Sequence, residues 1–428
     1  MRKDSENCFE DFLKKKSDKK RGCLVRSLRA FSDKILDHFG VSQKRNFICV
    51  LTIFALFSII FAFVSTFMNL KIQNLQVFSQ NWMPFVLALP YVGSFCGTLF
   101  FSYFAKKYSL KKMIILAFFF LWGGYLSLFF LLETYAGGFL LFFFGLLYRW
   151  IFLVLYVYQG KLFASMYQAR LFSFAGLLYG LAVAFGSFGI SQVSFEKGII
   201  FAILLVLVCL LISFRIKKDP KKEPACPLEE SLTREFSYLK MILQNPLFFL
   251  IVFVGYVTFY GFSTYYPFFG ERLGLTEAEA GSFLAYAQFF GLFLMPIGGY
   301  LGDKYGHEKS IFFIILLSFG VIGASFLTEN VSLLSVLFSI AQGGMFAFYT
   351  LTTAWVAFLY PSSNLIKGMA VLNLVGQAGG MISPFGMGVI MHFFGNEGFI
   401  GWFFMGTAVV LGLLLMRMIS HKKMKGGS

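Results

Sequence analysis

The sequence predicts an all-α membrane protein with twelve transmembrane helices in two pseudo-symmetric six-helix halves. Three observations carry that prediction. Of the 428 residues, 58% are hydrophobic and only 14% charged, and the apolar residues come in long blocks separated by short charged loops. That is the hydropathy pattern of repeated spans. The spans must be helices, because lipid offers the backbone no hydrogen-bond partners, and the alternating pattern of a membrane barrel is absent. Finally, the stretch Gly299-Tyr300-Leu301-Gly302-Asp303-Lys304-Tyr305-Gly306-His307-Glu308-Lys309 is echoed by Ser102 to Lys112. Tyr103, Lys107, Tyr108 and Lys112 stand at one constant separation from Tyr300, Lys304, Tyr305 and Lys309, so the molecule reads as a duplicated bundle.

In chain order, residues 1–45 form a basic tail. Leu24, Val25, Leu28, Phe31, Ile35, Leu36 and Phe39 have helical apolar spacing with Arg and Lys opposite. That pattern suits an interfacial amphipathic helix, with a solvated tail as the alternative. The amino half covers 46–216, with spans near 46–70, 79–105, 113–133, 136–160, 168–192 and 197–216. A charged linker at 217–245 carries Pro220, Pro224 and Pro227. The carboxy half covers 246–420, with spans near 246–271, 276–302, 309–328, 331–360, 367–394 and 398–419. Residues 421–428 form a short tail. The Gly298–Lys309 stretch falls between two spans and is expected as a tight, charged loop.

The net charge of +16 is placed by topology rather than by a nucleic-acid surface. All but four of the 37 Lys and Arg lie in loops on one side; Lys71, Lys197 and Arg272 lie on the other, and Arg149 is within a span. Positive charge collects on the cytoplasmic side of short-looped membrane proteins. Both termini are therefore expected in the cytoplasm, in a bacterial inner membrane, with no nucleic-acid partner. No signal-peptide cleavage pattern precedes the first span. The six cysteines show no metal-ligand spacing and none lies in an outward loop, so neither a metal site nor a disulfide is expected.

These loop residues also resemble a known family. From about Arg45 onward the chain looks like a member of the major facilitator superfamily, whose G-x-x-x-D-[RK]-x-G-[RK]-[RK]-like signature follows the second and eighth spans. The carboxy-half copy fits through Gly299, Asp303, Lys304, Gly306 and Lys309. The amino-half copy departs, with Ser102, Lys106 and Ser109 at the first glycine, aspartate and second glycine. The resemblance implies gating: Asp303 would hold the cytoplasmic face shut against the amino terminus of the helix beginning near Lys367 and a basic partner. The plainer reading is a solvated, inside-positive turn.

Arg149 is the only formally charged residue well inside a span; all 21 acidic residues fall in loops, tails or span ends. A charge at that depth is costly and faces the protein interior by default, which makes it a functional-site hypothesis. Its guanidinium fork suits carboxylate or phosphate oxygens; the alternative is a structural Arg satisfied by carbonyls, Gln and Tyr. Helical spacing places Gly145, Arg149, Phe152, Tyr156 and Gln159 on one face of the fourth span. Comparable stripes occur on the first (Ser58, Ala62, Ser65, Asn69), seventh (Tyr256, Tyr260, Ser263) and tenth (Gln342, Tyr349, Thr353) spans. The resemblance implies that these four spans line a central cavity. Arg149 also partly matches the family's R-x-x-x-G-like signature linked to proton coupling, with Leu153 in place of the glycine. Asn373 and Gln377 on the eleventh span are further candidates for that cavity, with helix contact as their alternative.

The sequence thus leads to a transporter of a small organic solute, anionic or polar, working by alternating access, and not to an enzyme. Its candidate substrate-binding residues are Arg149, Tyr156, Gln159, Tyr256, Tyr260, Gln342, Tyr349, Asn373 and Gln377. No cofactor is expected, proton or ion coupling stays open, and a monomer in the lipid bilayer is the expected state. A multidrug exporter and a lipid or lysolipid flippase are the alternatives.

Overall fold

The structure is a computed structural model. It describes residues 43–74, 83–131, 134–162, 168–190, 193, 195–217, 238–276, 279, 285–286, 289, 292–360 and 364–426. The amphipathic segment of the basic tail and most of the linker lie outside the described residues.

The amino half is built from α1 (Lys44–Asn74), α2 (Met83–Lys107), α3 (Leu110–Leu131), α4 (Tyr135–Leu162), α5 (Gln168–Ile190) and α6 (Phe195–Arg215). The short α7 (Tyr238–Gln244) leads into the carboxy half: α8 (Pro246–Arg272), α9 (Leu294–Tyr305), α10 (His307–Ser325), α11 (Val331–Leu359) and α12 (Leu365–Gly426). Among the described residues, nine helices are long and apolar enough to cross a membrane. One of them, α12, has 62 residues and turns at Gly395, whose φ of 58° breaks the helical backbone. At 1.5 Å per residue α12 would be about three times the hydrocarbon thickness, so it folds back as two limbs. Together with α5 and the partly described eighth span, these helices are consistent with twelve crossings.

Within the amino half, α2 and α4 touch backbone to backbone. A Cβ on Gly145 would come within 1.9 Å of the Pro90 carbonyl, and one on Gly93 within 1.9 Å of the Phe142 carbonyl. The two glycines therefore let each helix fit the other, the small-residue contact common between membrane helices. In the carboxy half, rings join α8 to the second limb of α12: Phe262 of α8 lies 4.5 Å from Phe403 and 5.0 Å from Phe399, centroid to centroid. The halves meet where α2 runs against the first limb of α12 and where α5 runs against α9 and α11.

The predicted loop at Gly298–Lys309 is nearly all helix. α9 continues through Tyr305 and α10 begins at His307, leaving Gly306 alone as the turn. Its φ of 87° is a conformation that favours glycine, and nothing lies within 4 Å of where a Cβ would stand. Gly298, Gly299 and Gly302 are buried instead on α9, a Cβ on Gly298 falling 2.8 Å from Ile314 and 3.3 Å from Ala347. The loop is shorter than its composition suggests because these glycines serve helix contact rather than chain reversal.

The duplication is visible in the side chains. The Lys107 ammonium lies 5.7 Å from the Tyr108 ring, and the Lys304 ammonium lies 5.0 Å from the Tyr305 ring. Tyr305 and Tyr300 beside it push the Lys304 pKa up. Elsewhere the halves diverge. Lys111 donates to the carbonyls of Phe214 (2.9 Å) and Ile216 (2.5 Å), tying the start of α3 to the end of α6. The matching position in the carboxy half is Glu308, which pairs at 3.7 Å with Arg417 on the second limb of α12. Arg417 in turn lies 4.9 Å from the Trp355 ring of α11.

Candidate functional site

A cavity of about 210 Å³ lies between the two halves. Its wall comes mostly from the amino half: Phe61, Ala62 and Val64 of α1, Leu87, Pro90, Tyr91 and Ser94 of α2, Leu141 to Tyr156 of α4, and Tyr179 and Val183 of α5. The carboxy half adds Phe259, Tyr260, Ser263 and Thr264 of α8, Phe346 and Tyr349 of α11, and Gln377 of α12. The wall is aromatic, with hydroxyls, one amide and one guanidinium.

Arg149, halfway along α4, is 8% exposed. It donates to Asn373 Oδ1 at 2.5 Å and to the Tyr260 hydroxyl at 3.4 Å. Both acceptors belong to the opposite half. Asn373 is held in register by its own Nδ2, which donates to the Met369 carbonyl at 2.7 Å. Gln377 lies one turn further along α12 and donates to the same Tyr260 hydroxyl at 3.0 Å. Among the described residues, none that lines the cavity is a carboxylate or a histidine. The positive charge is therefore solvated by neutral oxygens, which hold it in place without cancelling it.

The cavity is bounded by contacts between the halves at two levels. Toward the end that carries the Gly306 turn, Arg149–Asn373 is joined by the Tyr156 and Tyr349 rings at 6.3 Å, with Tyr256 5.5 Å from Tyr349. Toward the opposite end, the Tyr91 hydroxyl bonds Thr264 Oγ1 at 2.9 Å, and Phe85 meets Phe385 edge to face at 4.9 Å. Glycines on α12 allow this approach: a Cβ on Gly380 would lie 2.7 Å from the Tyr91 ring and 2.9 Å from the Tyr260 ring.

Of the residues singled out from sequence, Arg149, Tyr156, Tyr260, Tyr349 and Gln377 line the cavity, and Ala62, Gly145, Phe152 and Ser263 line it beside them. Asn373 reaches the site through Arg149, and Tyr256 lies behind the wall, between Tyr260 and Tyr349. Gln159 and Gln342 are fully buried but off the cavity wall. Ser58 bonds its own helix at Phe54 O, and the side chains of Ser65 and Asn69 lie outside the described residues. Tyr91, Tyr148 and Tyr179 are wall residues that sequence reasoning did not single out. Their signal was weak: a single Tyr in an apolar helix also suits lipid contact or core packing.

The residues expected to gate lie on α9, at its turn and on α10, and none of them lines this cavity. Gly299 is buried in α9, Gly306 makes the turn, Lys304 is exposed over its tyrosines, and Lys309 is on the first turn of α10. An ion pair at the Gly306 end is Glu308–Arg417, which the sequence reading did not single out.

Two helical halves with a cavity between them are an arrangement found in transporter families. The chain belongs to the Major Facilitator Superfamily, whose family model matches residues 47–346 and 292–426. A "Quinolone resistance transporter" of Acinetobacter baumannii is 24% identical over 193 residues, 43% of this chain; the chain spans 42% of that relative's length. The fold is similar to that of the human organic anion transporter MFSD10 (TETRAN), with TM-score 0.69, 11% identity, and coverage of 87% of this chain and 99% of that one. It is also similar to a D-xylose-proton symporter, with TM-score 0.65, 14% identity and coverage of 86% and 97%. The transporter FucP in its outward conformation gives TM-score 0.66, 15% identity and coverage of 87% and 98%. This chain is thus a multi-pass membrane protein of a transporter family.

Proposed function

We propose that the protein carries small organic anions, aromatic ones above all, across the membrane by alternating access, with Arg149 reading the negative charge. One observation carries this reading: a buried guanidinium facing a cavity whose wall, among the described residues, holds no carboxylate. An anion entering there meets an uncancelled charge in a site of low dielectric, where a charge-assisted hydrogen bond is strong. The rings of Phe61, Phe144, Phe152, Tyr179 and Phe346 offer faces and edges for an aromatic body.

The anion would compete with Asn373 and Tyr260 for the guanidinium, loosening the bridge between the halves at the Gly306 end. Tyr156, Tyr260, Tyr349 and Gln377 would complete the binding site, with Tyr256 and Asn373 in support. Among the described residues the wall has neither a carboxylate nor a histidine, which favours exchange or facilitated movement over a carboxylate-based proton cycle. Charge placement supports both termini and the Gly306 end in the cytoplasm, and the short loops suit a bacterial inner membrane. The domain limits at 46–216 and 246–420, a monomeric state, and Asp303 as part of the cytoplasmic latch belong to the same proposal.

A second reading, export of hydrophobic drugs, is favoured by the aromatic wall and by the partial match to a quinolone resistance transporter. Uptake into proteoliposomes separates the two. A panel of aromatic carboxylates, a quinolone, neutral aromatics and a sugar would be tested against wild type and Arg149→Ala. Transport of carboxylates that Arg149→Ala abolishes supports the anion reading. Transport of neutral aromatics by both proteins supports drug export and sinks it.

A further inference from the structure

A second cavity lies on the outside of the amino half, away from the central site. It is a groove of about 260 Å³ between α3 and α6, lined by Lys112, Ile115, Leu116, Phe119, Leu210 and Phe214. We propose that this groove binds one anionic phospholipid, with an acyl chain along its apolar wall and the phosphate against the Lys112 ammonium.

The occupant follows from placement and charge. Leu116, Phe119 and Phe214 are exposed on two helices that cross the membrane, so the groove opens to hydrocarbon. From Lys112 to Phe119 the wall rises about 10 Å along α3. That is about two-thirds of one leaflet of a hydrocarbon core roughly 30 Å thick, room for a chain segment held against protein. Lys112 is exposed on the first turn of α3, at the end where α6 finishes and where a headgroup would sit.

The two lysines at this corner have different tasks. Lys111 is engaged by the Phe214 and Ile216 carbonyls, which fixes the corner of the groove. Lys112 has no ion pair among the described residues, and Arg215 and Lys217 are exposed at the same end. α3 carries no acidic residue, and Glu196, the acidic residue of α6, is at that helix's other end. A neutral lipid would satisfy the apolar wall but not this charge, so the site selects for an anionic headgroup.

The test is native mass spectrometry of the full-length protein after exchange into an equimolar mixture of phosphatidylglycerol and phosphatidylcholine with identical chains. Wild type is expected to retain phosphatidylglycerol in preference by about fivefold, the effect of one lysine at an anionic surface. Lys112→Gln is expected to lose that preference with an unchanged melting temperature in detergent. Leu210→Trp, which fills the groove, is expected to lose retention of both lipids. Equal retention by wild type, or an undiminished preference in Lys112→Gln, overturns the proposal. So does glycerol phosphate displacing the lipid, since a headgroup without chains would then suffice. None of these readouts depends on transport.

Discussion

Arg149 and Asn373 lie 224 residues apart on opposite halves of the molecule and meet in a 2.5 Å hydrogen bond at one end of the central cavity. This bond makes the substrate site and the contact between halves one structure. A ligand that takes the guanidinium must also release the bridge, so binding and the change of access share an energy term.

Converting Asn373 to Asp tests that link. It would place a carboxylate against Arg149 and cancel the charge that the substrate is proposed to read. Asn373→Asp is expected to fold, to hold the halves together more firmly, and to bind aromatic anions at least tenfold more weakly. Calorimetric titration beside Asn373→Gln, which keeps a neutral acceptor, would separate charge from shape.

Tyr91 and Thr264 hold the halves together on the opposite side of the cavity. Tyr91→Phe removes the hydroxyl but keeps the ring that lies 4.8 Å from Tyr260. The loss should be about 0.5–1.5 kcal/mol on that side. Hydrogen exchange in α2 and α8 should rise, and substrate exchange rates should change with little effect on melting temperature.

Gly145 and Gly306 should respond differently to substitution because they are glycine for different reasons. At Gly145 the limit is space, since a Cβ would meet the Pro90 carbonyl at 1.9 Å. Gly145→Ala should destabilise by about 1–3 kcal/mol through forced separation of α2 and α4. At Gly306 the limit is the positive φ of 87° with open space around it. Gly306→Asn should be tolerated and Gly306→Val should not, a contrast that melting curves in detergent would show.

The Glu308–Arg417 pair replaces, in the carboxy half, the contact made by Lys111 in the amino half. Arg417 also covers the Trp355 ring. Arg417→Ala should therefore cost more than Glu308→Gln, because it uncovers an aromatic face as well as breaking the pair. A double-mutant cycle read by thermal melting should give a coupling of about 1 kcal/mol or less, because the charges lie 3.7 Å apart and Glu308 keeps partial access to solvent.

The fold was legible because lipid imposes a coarse rule. Apolar blocks of crossing length mark the helices, and Tyr103, Lys107 and Tyr108 repeating as Tyr300, Lys304 and Tyr305 marks the duplication. Arg149 was legible because a lone charge in a span has few explanations. The rest of the wall was not, because helical spacing says which face a residue shares but not how far that face extends. Gln159 is ten residues beyond Arg149, a rotation of about 80° from it at 100° per residue, and it is buried off the wall. Gln342 is about two turns before Tyr349 on α11 and shares its face, yet it is fully buried off the wall, which on this helix is Phe346 and Tyr349. Tyr91 and Tyr179 are on helices that the sequence reading did not assign to the cavity, and only the approach of the two halves brings them to the site. Asn373 could be read as facing the cavity, but its bond to Arg149 depends on a contact across the whole bundle.

The central claim is that Arg149 reads charge rather than shape. The most direct measurement is the affinity of one aromatic carboxylate and its isosteric primary amide for purified wild type and Arg149→Gln. Loss of a hydrogen bond to a charged group is worth roughly 1.5–3 kcal/mol, or about ten- to a hundredfold in affinity. Wild type is expected to prefer the carboxylate by that margin, and Arg149→Gln to bind both compounds equally weakly. Equal binding of carboxylate and amide by wild type, or a carboxylate preference that survives in Arg149→Gln, would contradict the account.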